Sequence, residues 1–140
     1  MDCLFCKIAN GEIKDNVIYS DEKTVAFLDI NPRSPGHAMI VSKSHSRNIL
    51  DLNDEEIAPL FLTLKRVTAM IEKALKPDGF TIGVNHGSVA GQAIDHLHVH
   101  IIPRWKNDGG SSIHFIVNNA PEEPVNVIAE KIKNNSIKIK

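Results

Sequence analysis

Three histidines stand at alternate positions near the end of the chain, in the stretch DHLHVHIIPRW that begins at Asp95. Successive side chains of a strand point to opposite faces, so His96, His98 and His100 would share one face, about 6.5 to 7 Å apart. Histidine is a poor strand former, and a merely polar face is more often built from other residues. A histidine-rich face on an otherwise apolar strand therefore indicates a functional site.

Two kinds of chemistry fit this face. Neutral imidazole is the commonest metal ligand, which would make the face a metal site. Imidazole is also a nucleophile toward phosphorus, and neighbouring histidines can fix its tautomer or protonate a leaving group. The spacing alone leaves both interpretations open.

The sequence contains two cysteines, Cys3 and Cys6. Two are too few for the disulfide framework of a small secreted domain. In a reducing compartment their spacing favours a metal site over a disulfide. A redox pair is the weaker alternative, because the pair precedes every expected strand. A structural zinc site needs four nitrogen or sulfur ligands, so two more would have to come from distant parts of the chain.

Composition and charge restrict the class of protein. The 140 residues, 42% hydrophobic and 24% charged, are typical of one globular domain spanning residues 1–140. A net charge of −1 provides no basic field to hold a nucleic-acid backbone, although a small anionic substrate is compatible with it. The amino terminus lacks the pattern of a secretory signal, and no apolar run is long enough for a membrane span. We therefore expect a cytoplasmic protein that binds neither nucleic acid nor a membrane.

Five segments have the character of short strands. Residues 17–30 read as a hairpin around the polar turn SDEK, and HAMIVSK (37–43) follows after a break at NPRSPG. FTIGVN (80–85) and DHLHVHIIPR (95–104) are the last two strands, joined by a glycine-bearing loop. Short sequential connections favour an antiparallel sheet with helices on one side, which is an α+β fold.

Two segments are expected to be helical. Asn53 and Glu56 have the spacing of a capping box at the start of a long helix, although Pro59 predicts a later start or a bend. Residues 121–135 predict a short closing helix with acids at its start and lysines toward its end. The long helix should bury one face made of Ile57, Leu60, Phe61, Leu64, Val67, Ile71 and Leu75.

The stretch HLHVHII matches the His-φ-His-φ-His-φ-φ signature, where φ is hydrophobic, so the chain resembles the histidine triad (HIT) family of nucleotide hydrolases and transferases. The segments CLFCKIANGEI, AFLDINPRSPGHAMIVSKSH and VNHGSVAGQAIDHLHVHIIPRW extend the resemblance over about residues 3–106. It implies a HIT-like fold: an antiparallel sheet of about five strands, a long helix and a short C-terminal helix, with residues 107–140 as an extension. It also implies a homodimer.

The resemblance further implies a reaction. Its substrates would be purine nucleoside phosphoramidates or dinucleoside polyphosphates, such as AMP derivatives, cleaved at the α-phosphate to release a nucleoside monophosphate. His98 would be the nucleophile that carries the nucleotidyl group, His100 would assist the leaving group, and His96 would orient the nucleophile. Neither an organic cofactor nor a catalytic metal is expected.

A second set of residues resembles the family's nucleotide-binding positions. Asp29 would accept hydrogen bonds from the ribose, although on residue type alone it would more often cap the turn that follows. Gly91 would let backbone amides approach the phosphate, and Ala93 stands where many members carry a hydroxyl. The remaining positions that the resemblance assigns to nucleotide binding are Phe27, Leu28, Ile30, His37, Asn85 and Gln92.

The resemblance also supplies the missing metal ligands. A zinc-containing branch of the family, of Hint-like prokaryotic type, pairs the amino-terminal cysteines with the positions of His45 and His96. It implies a structural zinc held by Cys3, Cys6, His45 and His96, which would stabilise the fold and make His96 a ligand. Two alternatives stay open: a nucleotide-binding sensor or docking module with little catalysis, in keeping with Ala93, and a multi-histidine metal site.

Overall fold

The computed structural model describes residues 2–136 of the chain. The last four residues, part of a locally basic carboxy-terminal stretch, lie outside the described residues. The chain forms two compact units, Met1–Gly110 and Ser111–Lys140. The expectation of one domain with a carboxy-terminal extension stays a prediction.

The first unit contains the five-stranded sheet that the sequence predicts. Every neighbouring pair is antiparallel, and the spatial order is β1-β2-β3-β5-β4, so β1 and β4 are the edges. The sheet and the helices confirm the α+β class. The strands are β1 (Val17–Ser20), β2 (Thr24–Leu28), β3 (Ala38–Ser42), β4 (Gly79–Gly83) and β5 (Val99–Arg104).

Strand β5 begins at Val99, four residues later than the sequence predicts. Of the three histidines only His100 lies in the strand, and the expectation that all three share a strand is wrong. The alternation nevertheless continues beyond the hydrogen-bonded ladder, because Leu97, Val99 and Ile101 are all buried in one apolar cluster. His96 and His98, between and before them, point to the opposite side.

The long helix, α2 (Asp54–Leu75), begins directly after Asn53, so a later start caused by Pro59 is wrong. Pro59 lies inside the helix. The capping box is also wrong: the Asn53 side chain makes no capping hydrogen bond, and the Glu56 amide instead donates to the Asn53 carbonyl at 2.9 Å. Three acidic residues in the first turn suit the positive end of the helix dipole.

The buried row of α2 is narrower than expected. Leu60, Val67 and Ile71 are buried, whereas Ile57 and Phe61 are 45% and 54% exposed. The polar Thr63 completes the buried row, and its hydroxyl lies 2.6 Å from that of Thr24 on β2. This hydrogen bond satisfies two buried hydroxyls where the helix meets the sheet.

A short helix, α1 (Leu4–Ala9), was not foreseen in the sequence. It buries Phe5, Ile8 and Ala9 in a second apolar cluster, the α1 cluster, which also contains Val25, Phe27, Met39 and Val41 from the sheet. The first apolar cluster, which includes the buried residues of α2 and is therefore the α2 cluster, contains Ala26 and Ile40, which alternate with those residues along the same strands. Helices α1 and α2 therefore cover opposite faces, and the expectation that helices lie on one side is wrong.

The second unit contains α3 (Val125–Lys133), within the predicted range 121–135. Its last turn carries Lys131 and Lys133 as expected, but its first turn has no acidic residue, because the glutamates precede the helix. Among residues 2–136, no helix combines the length and the apolar character that crossing a bilayer requires.

Candidate active site and metal centre

The four residues proposed as metal ligands meet at one point between α1 and the sheet. Cys3 is the N-cap of α1 and Cys6 lies in that helix, while His45 follows β3 and His96 precedes β5. The Cys6 sulfur lies 3.3 Å from His45 Nδ1, and both sulfurs lie 3.4 Å from His96 Nδ1. All four ligand atoms lie within 4.8 Å of one another.

This geometry fits a tetrahedral zinc ion. Zinc–sulfur and zinc–nitrogen bonds of about 2.3 and 2.0 Å give sulfur–nitrogen edges of about 3.5 Å in a tetrahedron. His96 Nε2 donates to the Ser42 carbonyl at 2.9 Å, so in the neutral ring the Nδ1 lone pair faces the sulfurs. Burial, with the neighbouring Cys3, raises the pKa of Cys6 to about 11, so binding a metal would have to displace a thiol proton.

His98 is buried, and its two ring nitrogens are not equivalent. Nδ1 lies 2.7 Å from the His96 carbonyl. Since a carbonyl can only accept, Nδ1 carries the proton, and the neutral ring keeps its lone pair on Nε2. A neutral imidazole with one nitrogen held and the other free is the form that a histidine nucleophile requires.

His100 belongs to a chain of hydrogen bonds that fixes a second tautomer. The Arg33 amide donates to His37 Nδ1 at 3.1 Å, so a neutral His37 carries its proton on Nε2. That proton is donated to His100 Nδ1 at 2.9 Å, which leaves the His100 proton on Nε2. The ring centroids of His98 and His100 are 5.0 Å apart, so the ring with a lone pair on Nε2 lies beside the ring that carries its proton on Nε2.

Burial keeps the imidazoles of His37, His100 and His96 neutral. Burial lowers the pKa of His37, and the nearby Asp29 carboxylate, 3.6 Å from His37 Nε2, only partly opposes it. Burial, with the adjacent His98 and His37, lowers the pKa of His100 to about 4. Burial likewise lowers the pKa of His96, against the hydrogen bond to Ser42. Near pH 7 the three rings are therefore neutral, as the hydrogen bonds require.

Asp29, His37 and His100 also place ligand-type atoms within 4.8 Å of one another. Their hydrogen bonds indicate that these residues hold a proton between His37 and His100, and they argue against a second metal site. A metal on His37 Nε2 would displace the shared proton, and His37 Nδ1 could not take that proton because it accepts from the Arg33 amide.

The residues expected around a nucleotide differ in how much of their surface is exposed. Asp29 Oδ1 accepts from the Asn31 amide at 2.9 Å, so this residue does cap the following turn, while Oδ2 faces His37. Phe27 is only 1% exposed inside the α1 cluster, Leu28 is half-buried, and Ile30 is 72% exposed. Ile30 therefore offers the largest free apolar surface of the three, and their nucleotide-binding roles stay predictions.

Gln92 braces the loop between β4 and β5. Its side-chain nitrogen donates to the carbonyls of Arg47 and Ile94 at 2.7 and 3.0 Å, and its oxygen accepts from the Gly87 amide at 2.9 Å. These bonds use both amide hydrogens of Gln92, so in this conformation it supports the loop instead of presenting a donor to a ligand.

The rest of this loop keeps an open surface. Gly91 has a φ of +102°, and a Cβ there would lie 3.3 Å from the Asn85 side-chain nitrogen, so both conformation and space favour glycine. Asn85 is half-buried, and Ala93 is exposed. The phosphate-binding roles of Asn85, Gly91, Gln92 and Ala93 stay predictions.

Sequence reasoning missed three contributors to this site. Phe5 packs its ring on His98, the Arg33 amide sets the His37 tautomer, and the Ser42 carbonyl sets that of His96. The last two act through backbone atoms, which leave no signal in residue type. The only available signal for Phe5 was its position between the two cysteines.

The HIT domain model matches residues 10–107 of the chain. The adenosine 5′-monophosphoramidase of Schizosaccharomyces pombe is 35% identical over 132 residues, covering 94% of this chain and 96% of that protein. A member of the HIT family from Bacillus subtilis superposes with a TM-score of 0.87 at 30% identity, covering 99% of this chain and 100% of that one. A zinc-bound histidine triad family protein from Mycobacterium smegmatis gives 0.74 at 33% identity, covering 79% and 81%.

Proposed function

This chain belongs to the HIT family, and we propose that it hydrolyses purine nucleoside phosphoramidates or dinucleoside polyphosphates through a nucleotidyl-His98 intermediate. The observation that carries the proposal is the hydrogen bond from His98 Nδ1 to the His96 carbonyl, which leaves Nε2 as a buried nucleophile. The similarity to an adenosine 5′-monophosphoramidase supports an AMP derivative as substrate.

Two displacements complete the reaction. In the first, His98 Nε2 bonds to the α-phosphorus, the bond to the leaving group breaks, and the departing atom takes the Nε2 proton of the neutral His100, which a proton from solvent replaces. In the second, water attacks the same phosphorus, the nitrogen–phosphorus bond breaks, and a nucleoside monophosphate is released while the water proton returns to solvent. Splitting one displacement into two is the usual benefit of a covalent intermediate.

The test compares the wild type with His98→Ala, using adenosine 5′-phosphoramidate and a diadenosine polyphosphate as substrates. We expect AMP release and a chain heavier by one adenylate in the wild type, and loss of both in His98→Ala. His86→Ala is the control, because His86 is exposed and has no assigned role. Nucleotide binding with equal and negligible turnover in wild type and His98→Ala would overturn the hydrolase proposal and favour a binding module.

We also propose that Cys3, Cys6, His45 and His96 hold a structural zinc. The sulfur–nitrogen separations and the His96 tautomer support this, as does the zinc-bound relative from M. smegmatis. When bound, the ion would join α1 to the segments before β5 and after β3. We expect elemental analysis to find one zinc per chain in the wild type and none in Cys6→Ser. Wild-type protein that contains no zinc, although it was produced in zinc-containing medium, would contradict this proposal.

A homodimer is the third part of the proposal. Strand β4 is an edge of the sheet, and near it lie the partly exposed Ile57 and Phe61 of α2 together with Ile82 and Val84. An unpaired edge beside an apolar surface is typical of a site that a second copy covers. A C2 dimer would use this same surface on both chains.

A further inference from the structure

Phe5 is the aromatic residue of α1 that packs on the proposed nucleophile. Its ring centroid lies 5.0 Å from that of His98, with the ring planes at 83°, an edge-to-face arrangement. It contacts Phe27 in the same way at 5.2 Å, and only 5% of its surface is exposed. Phe5 is therefore buried behind the His98 ring and has little surface with which to contact a nucleotide.

The metal-ligand cluster holds the helix that carries Phe5. Cys3 and Cys6 flank this residue, and both sulfurs reach His96. Helix α1 has six residues, and so short a helix is not stable without tertiary contacts. The place of Phe5 consequently depends on the burial of α1 and on the two cysteine contacts.

Besides the His100 ring, whose centroid lies 5.0 Å away, two described contacts from the amino-terminal and His96 side fix the His98 ring. The His96 carbonyl accepts from Nδ1 at 2.7 Å, which sets the tautomer, and the Phe5 ring lies against the imidazole, which restricts its rotation. The carbonyl belongs to a ligand of the cluster, and the ring lies between two other ligands in sequence. Both contacts thus originate in the same structural unit.

We propose that Phe5 is a positioning residue for His98, through which the cluster of Cys3, Cys6, His45 and His96 keeps the nucleophile in its reactive tautomer and orientation. The inference rests on the proposed function of His98. It gives the cluster a second role beyond stabilising the fold, because loss of the metal would release α1 and with it the support of the His98 ring.

The first arm of the test replaces Phe5 by leucine, which keeps an apolar side chain but removes the aromatic edge. Long-range ¹⁵N–¹H spectra should show His98 protonated on Nδ1 in the wild type and as a mixture of tautomers in Phe5→Leu. We expect kcat to fall about 3- to 10-fold, a loss in the range of one aromatic contact, with KM within about twofold of the wild type. Zinc content should be unchanged.

Ile8→Val is the matched control. Ile8 lies in the same helix and the same apolar cluster, is 4% exposed, and makes no ring contact with His98. This variant should retain both the tautomer and kcat. An equal loss of kcat in Ile8→Val, or a single His98 tautomer in Phe5→Leu, would show that Phe5 only stabilises α1 and would overturn the proposal.

The second arm compares zinc-loaded and zinc-stripped protein. Stripping the wild type should reproduce the tautomer mixture seen in Phe5→Leu, and stripping Phe5→Leu should change it little further, because both changes act on the same support. Independent, additive effects would overturn the link between the cluster and Phe5. A wild type that turns over neither substrate would refute the proposed function, whereas the spectra would still decide whether Phe5 and the cluster position His98.

Discussion

Removing the His37 side chain tests the tautomer chain that ends at His100. In the wild type, His37 Nε2 donates to His100 Nδ1 at 2.9 Å, and His37→Leu removes this donor. Because His37 is only 3% exposed, leucine is chosen to fill most of the space that the imidazole occupies. No described contact then holds the His100 proton on Nε2, where the proposed reaction uses it to protonate the leaving group. The neutral ring will populate its other tautomer, which presents a lone pair in place of a donor.

The size of the effect follows from that single hydrogen bond. A hydrogen bond between neutral groups contributes about 0.5 to 1.5 kcal/mol net, which corresponds to a change of about 2- to 13-fold in the tautomer ratio. The complete loss of a general acid costs about 100-fold or more, which sets the upper limit. We therefore expect kcat for adenosine 5′-phosphoramidate to fall about 5- to 10-fold.

The assay compares two leaving groups. An amine must be protonated as it departs, whereas the p-nitrophenolate of an AMP p-nitrophenyl ester departs as an anion and should be nearly unaffected by His37→Leu. His86→Leu serves as the control because it removes an exposed histidine. An equal loss with both substrates, or unchanged kcat with the phosphoramidate, would refute the proposed role of His37.

Three further predictions concern pH, assembly and leaving-group preference. Because the pKa of His100 is lowered to about 4, the unfolded chain binds a proton between about pH 6.5 and 4 that the folded chain does not. The free energy of unfolding should therefore fall on acidification through this window, by on the order of 1 kcal/mol after allowance for solvent screening; urea titrations should show a smaller fall in His100→Gln, and an equal one would contradict this. Phe61→Glu should convert a dimer into a monomer in light scattering, whereas Leu62→Glu, at a similarly exposed position that lines a different surface of α2, should not; a dimeric Phe61→Glu protein would exclude this interface. Ala93→Ser restores a hydroxyl in the open loop and should raise turnover of the phosphoramidate relative to the p-nitrophenyl ester, and an unchanged ratio would show that residue 93 does not contact the leaving group.

Much of the fold could be predicted from local sequence patterns. The five strands and the long helix follow from alternating or helical spacing of apolar residues, which depends on the period of each element and is visible within a short window. The errors lie where tertiary contacts decide. Helix α1 has too few residues for a periodic signal, and β5 starts at Val99 because pairing with its neighbours begins there and not where the alternation begins.

The sequence by itself determined which side chains could act: three alternating histidines, suited to attack on phosphorus or to a metal, and, through the family resemblance, two sulfurs and two imidazoles that could hold zinc. Only the tertiary structure decided how they could act. The tautomers of His96 and His98 depend on the carbonyls of Ser42 and His96, and the chain to His100 begins at the Arg33 amide. Every residue carries a backbone carbonyl, and every residue but proline a backbone amide, so their use at one place is a property of the fold and cannot be read from residue type.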